Sequence, residues 1–156
     1  MSISARNCQR RIRVSLPRLR RLARRALAAI GRADADVHVS VVDDREIRRL
    51  HARYLGRRRA TDVMAFNLEG DPAPGLLLGE VVISAETALR QSRRVRVPVA
   101  LEIDLLLVHG ILHLTGWDDH TPADARQMHE REREILSTPR CRPIPERLWV
   151  GLLPTP

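Results

Sequence analysis

Lysine is missing from this 156-residue chain; all 27 of its basic residues are arginine. A bias that complete reflects the base composition of the coding DNA more than a binding requirement. The net formal charge of +8 nevertheless predicts attraction to polyanions, RNA foremost. Cysteine is scarce: Cys8 and Cys141 lie far apart and in no CxxC pair. That excludes a disulfide framework and leads to the expectation of a reducing, cytoplasmic location. Aromatic residues number only two Trp, one Tyr and one Phe, so the core must be built from Leu, Val, Ile and Ala. No apolar run reaches the roughly 18 residues of a membrane span, so no membrane partner is expected. Acidic residues are absent before Asp34, while arginines crowd the same stretch. Such an imbalance suits a transit peptide. Against that, Leu19, Leu22, Ala23, Ala26, Leu27 and Ile30 form a continuous helical stripe, with Arg18, Arg20, Arg21, Arg24 and Arg25 on the other face. The pattern reads as a first domain helix ending at Gly31.

What is present reads as alternating elements. A short strand near 3–6 precedes that helix, and Val37 to Val42 alternates as a second strand. Asp43 or Asp44 caps a helix whose apolar side holds Ile47, Leu50, His51 and Tyr54, and Gly56 ends it. His51 is expected to be a hydrogen-bonded, semi-buried histidine and not a ligand. Strands follow at 61–68 and 76–84, separated by a loop rich in Gly, Asp and Pro. Helices are expected at 85–93, at 98–115 and from Thr121–Pro122 onward, the last with Ala125, Met128, Glu132 and Ile135 at helical spacing. Two successive strands with no helix between them imply an antiparallel pair in a mixed sheet. The expected fold is therefore α+β: a mixed four-stranded sheet packed with about five helices. It forms one domain over 1–137, and a Pro-rich C-terminal tail occupies 138–156.

The helix at 98–115 is apolar nearly all round, which places it in the core. Two histidines interrupt it. His109 and His113 are four apart and project from one face about one turn apart. Gly116 offers a helix stop, and Asp118, Asp119 and His120 follow in the turn. Two imidazoles on a helix with a third donor returned by a glycine reversal make a three-ligand metal site with an open position. A metal also removes the cost of two imidazoles in a Leu-rich core, where unpaired polar groups cost about 1–3 kcal/mol each. Neutral imidazole suits Zn²⁺, one per chain, with Ni²⁺ or Cu²⁺ as competitors; no organic cofactor is implied. Asp118 or Asp119 is a candidate to orient a ligand imidazole. Gly110 stands where the HExxH helix of zinc hydrolases has its general-base Glu. A glycine inside a helix costs about 1 kcal/mol against Ala, so something is expected to approach the helix closely there.

HGILHLTGWDDH resembles the motif HGxLHLxGYDH of the YbeY-type endoribonucleases, the bacterial ribosomal-RNA maturation factors. REIRRLHARYL with TDVMAFNLE is similar to that family's segment around PTDVLSF. LLGEVVIS is similar to its LGDIVIS strand, and GWDDHTPADARQMHERERE to the helix after its motif, so the likeness runs over about 37–137. The resemblance implies a zinc-dependent enzyme that cuts single-stranded RNA. Its implied work is ribosomal RNA maturation, including the 16S rRNA 3′ end, and quality control of the small ribosomal subunit. His109 and His113 carry over as ligands, acting catalytically through the metal. The family's third histidine falls at Asp119, with His120 one residue on; His120 is the expected third ligand and Asp119 its alternative. The family's Arg in YRGK falls at Leu55, so Arg57, a tentative catalytic residue, or Arg58 or Arg59 is expected to stand in. Arg57, Arg58, Arg59, Arg21 and Arg25 are the RNA-binding candidates. Two other readings remain: a zinc-dependent peptidase-like hydrolase, disfavoured by Gly110 and the +8 charge, and a non-catalytic ribosome-assembly factor, favoured by Leu55.

Overall fold

A computed structural model describes residues 2–55, 62–67, 78–139 and 143–151. The elements run β1 (Ile3–Asn7), α1 (Leu16–Ala29), β2 (Asp36–Val42), α2 (Asp44–Leu55), β3 (Val63–Asn67), β4 (Leu78–Ser84), α3 (Ala85–Val95), α4 (Val99–Leu114) and α5 (Pro122–Leu136). A 3-10 turn follows at Glu146–Gly151. The sheet order is β1-β2-β4-β3. β1 and β4 flank β2 in parallel, and β3 runs antiparallel to β4. This is the mixed α+β sheet expected, with the antiparallel pair where no helix intervenes.

Helix starts follow side-chain chemistry. Ser15, Ser84 and Thr121 accept bonds from the backbone N–H groups of Arg18, Thr87 and Asp124, and so cap α1, α3 and α5. Each such cap contributes about 1 kcal/mol. Asp44, at the start of α2, ties that helix to α3. Its Oδ1 accepts bonds from the Ser84 and Thr87 hydroxyls at 2.5 and 2.7 Å, and its Oδ2 pairs with Arg90 at 2.8 Å. Burial alone would raise its pKa; these three partners lower it below the usual carboxylate range.

β2 and β4 alternate their side chains between two cores. Val37, Val39, Val41, Val81 and Ile83 join the main core under α1, α3, α4 and α5. Val42 and Val82 meet Ile47 and Met64 in a smaller cluster beneath α2. α4 is the centre of the main core: Leu105, Leu106, Leu107, Ile111 and Leu112 are all fully buried. Among the described residues, no single helix is long and apolar enough to cross a membrane. The close approach expected at Gly110 comes from the sheet. A Cβ placed there would lie 2.7 Å from Val81 Cγ1 and 3.2 Å from Val63 Cγ2, so the helix sits against β3 and β4 as only glycine allows.

Two expectations need correction. His51 is fully buried, not semi-buried, because α2 turns that face onto the protein. The region after Ser137 is not simply an extended tail. The turn at Glu146–Gly151 buries Leu148 completely and Trp149 almost completely against the domain. Pro143 and Pro145 precede the turn, and its two large apolar side chains supply the reason to dock.

Candidate metal centre

Four histidine and carboxylate side chains converge where the last turns of α4 meet the loop to α5. His109 is 4 % exposed, and Glu132 on α5 is wholly buried beside it. His109 Nδ1 lies 2.9 Å from Glu132 Oε1. The second Glu132 oxygen accepts a 3.0 Å bond from Trp149 Nε1, and the Arg133 guanidinium covers the Trp149 ring at 4.7 Å from its centroid. His113 Nδ1 lies 3.0 Å from the Trp117 carbonyl. A carbonyl can only accept, so that nitrogen carries the proton; a carboxylate imposes the same tautomer on His109. Both Nε2 atoms therefore direct lone pairs into one space, 3.0 Å apart.

Asp119 closes that space. Its oxygens lie 3.5 Å from His109 Nε2 and 3.6 Å from His113 Nε2. His109, His113 and Asp119 form one group whose donor atoms could all reach a single ion. The fit is close, because ligands at 2.0–2.1 Å around a tetrahedral zinc stand about 3.3 Å apart. Two facing lone pairs beside a carboxylate need a cation between them, either an ion or a proton. Without an ion, the proton falls to His109. Burial opposes charge there, but the bond to Glu132 and the charges of Glu132, Asp119 and Asp62 outweigh it and raise the pKa. Burial and the neighbouring His109 lower that of His113.

His120, the expected third donor, is not brought to the pair. Gly116 reverses the chain with φ +96°, and exposure then alternates along the loop. Asp118 points out, Asp119 in and His120 out. The His120 ring, 61 % exposed, bonds to Asp118 at the surface, and that bond raises its pKa. The position that the family motif gives to histidine is thus filled, in space as in sequence, by Asp119. Glu132, rather than Asp118 or Asp119, is the group that orients His109. A glutamate on the apolar stripe of the last helix was the available signal for it, since a buried carboxylate needs a partner. Arg21 and Arg25 lie exposed on α1, lining a separate concavity and not the histidine pair. Arg57, Arg58 and Arg59 lie outside the described residues, as does the Leu55 side chain.

Fold and site together define an α+β protein in which two histidines of a buried helix meet a loop carboxylate in a group able to hold a metal ion. Residues 4–139 match the family described as Endoribonuclease YbeY. A protein of that name from Geobacter metallireducens is 40 % identical over 145 residues, which cover 88 % of this chain and 95 % of the relative. One from Anaeromyxobacter sp. (strain Fw109-5) is 49 % identical over 118 residues, 76 % of this chain and 62 % of the relative. Its counterpart from Anaeromyxobacter dehalogenans gives 48 %, 76 % and 61 %. The chain thus spans about three-fifths of the length of these two Anaeromyxobacter relatives. The solution structure of TM1509 from Thermotoga maritima shares the fold, with a TM-score of 0.58 and 22 % identity over 95 % of this chain and 89 % of that one. The chain belongs to the YbeY endoribonuclease family.

Proposed function

We propose that this chain is a metal-dependent endoribonuclease that cuts single-stranded RNA and acts in the cytoplasm. Its substrate on this reading is ribosomal RNA in the small subunit, at the 16S 3′ end, where it also serves quality control. The observation that carries the proposal is the convergence of His109 Nε2, His113 Nε2 and the Asp119 carboxylate on one space, with both imidazole tautomers fixed from behind. Membership of a family whose relatives bear the name endoribonuclease supports the choice of RNA.

The chain's own groups divide the work. His109, His113 and Asp119 would hold the ion, zinc by donor type and nickel as a competitor. When bound, the ion polarises a phosphoryl oxygen and acidifies water. Glu132 keeps the His109 proton on Nδ1, and the Trp117 carbonyl does the same for His113, so both Nε2 atoms stay available. His113 and Asp119 are only partly buried, so water and substrate would reach an ion held there. Arg57, a candidate to meet the reacting phosphate, and Arg58 and Arg59 would hold the flanking phosphates.

Metal content and cleavage of a 16S 3′-end RNA fragment test this together. Wild type is expected to carry one ion per chain and to cut the RNA. His113→Ala and Asp119→Ala should lose both properties, and His120→Ala should keep both. Loss of metal in His120→Ala alone would transfer the third ligand from Asp119 to His120. Undiminished cleavage by His113→Ala would trace the activity to a contaminant.

A further inference from the structure

A second concavity opens on the other side of α4 from the histidine pair. Asp104, on its floor, precedes His109 by five residues, about 7.5 Å along the helix axis and about 140° around it. The hollow has a volume of roughly 610 Å³ and lies between α1, the first turns of α4 and the segment Pro143–Pro145. That is the size of a small-ligand site. Leu22, Leu101, Leu136 and Ile144 make its walls apolar, and Arg18, Arg21 and Arg25 stand along its rim.

Asp104 is 7 % exposed. Its Oδ2 pairs with Arg18 Nη2 at 2.5 Å, while its Oδ1 is buried with no hydrogen-bond partner among the described residues. An unmet buried acceptor costs about 1–3 kcal/mol, so this atom calls for an N–H or O–H donor. Arg21 and Arg25 form no contact-distance ion pair among the described residues, and Arg25 acts on Asp104 only through its field, so both guanidinium groups can take an anion at the rim. The occupant that matches these groups carries a hydrogen-bond donor at its inner end, an apolar body and a negative charge at its outer end. A phosphate cannot sit deep, because Asp104 repels it. A nucleotide has this polarity: the base edge donates, the base faces are apolar and the phosphate is anionic. A smaller hollow of roughly 340 Å³ adjoins the first and shares Arg18, with Arg13 also lining it. Two hollows astride one arginine match consecutive residues of a strand.

We propose that this groove is an exosite for single-stranded RNA that seats one nucleotide with its base on Asp104 and its phosphate on Arg21 and Arg25. The strand continues over Arg18 toward the second hollow. The inference rests on the reading of RNA as substrate and gives the basic face of α1 a defined task, holding the strand while the distant centre acts on it.

Calorimetric titration tests it with four probes: GMP, inorganic phosphate, an RNA hexamer and the peptide acetyl-Leu-Asp. Titrations use the wild type, Arg21→Gln/Arg25→Gln, Asp104→Asn and His113→Ala. Wild type should bind GMP about tenfold more tightly than phosphate, and the hexamer about tenfold more tightly than GMP. The double arginine variant, altered only at exposed positions, should lose about tenfold or more for both nucleic-acid probes. Asp104→Asn should weaken GMP, whereas phosphate, relieved of the repulsion of Asp104, should bind at least as tightly as before. Equal binding of phosphate and GMP, or nucleotide binding indifferent to the arginine pair, overturns the exosite. A preference for the peptide overturns it in favour of protein docking. Hexamer affinity no better than that of GMP overturns the strand path. His113→Ala separates the two proposals: it should bind as wild type does while failing to cut. Binding without cleavage by wild type would sink the nuclease reading alone, and cleavage without groove binding the exosite alone.

Discussion

Glu102 and Glu132 are both wholly buried, one on each of the two helices that build the site, and their surroundings are opposites. Glu132 is fully employed: one oxygen meets His109 and the other Trp149. Glu102 has both oxygens buried with no hydrogen-bond partner among the described residues. Burial, reinforced by the charge of Asp62, pushes its pKa up to about 7. The same side chain at the same depth thus serves as a connector in one place and as a source of instability in the other. Partners decide which, because burial without them penalises the ionised form.

The contrast can be broken most forcefully at Glu132. Glu132→Ala leaves the His109 Nδ1–H and the Trp149 Nε1–H unmatched inside the protein. It should lower stability by about 4 kcal/mol in urea denaturation and weaken metal binding about 10–100-fold. At Glu102 the sign reverses. Glu102→Leu should stabilise the protein by about 3 kcal/mol at pH 8. Below the unfolded-state value near 4.5, the carboxyl is protonated in both states and its ionisation costs nothing. Between there and pH 7 the folded chain holds a proton that the unfolded chain has lost, so stability falls as pH rises. The advantage of Glu102→Leu should therefore fade on acidification, and denaturation curves at pH 8 and pH 4.5 read it directly. An advantage that does not change with pH would mean that Glu102 has a partner after all. Trp149→Phe should have the smallest effect, about 1 kcal/mol, since it removes one donor and keeps a ring under Arg133. A loss of metal affinity in that variant, measured by chelator competition, would show that the tryptophan N–H also holds Glu132 in line with His109.

Sequence pattern made much of this legible. α4 and its two imidazoles stand out because a four-residue spacing in an apolar run has one geometric meaning. The antiparallel β3–β4 pair followed from two strands with no helix between them. The third donor was harder to see. Beyond Gly116 the backbone is irregular, and only the loop's path shows that Asp119 turns inward while His120 turns outward. Residue type favoured the histidine; position brings the aspartate to the pair. Glu132 lay in view on an apolar stripe, but its partners are 23 residues earlier and 17 later in the chain, and one of them sits in a Pro-rich stretch that reads as tail. Long-range partners of that kind leave no local pattern.

Gly110 lies between the two imidazoles, with Val81 and Val63 at its back. The two valines therefore act as a shim beneath the turn that carries both donors. Thickening the shim by one methylene, as in Val81→Ile, should press on that turn without altering any polar group. The spacing of the two imidazoles thus leans on the wholly apolar interior of the sheet, where a substitution made for stability alone also bears on the candidate metal centre.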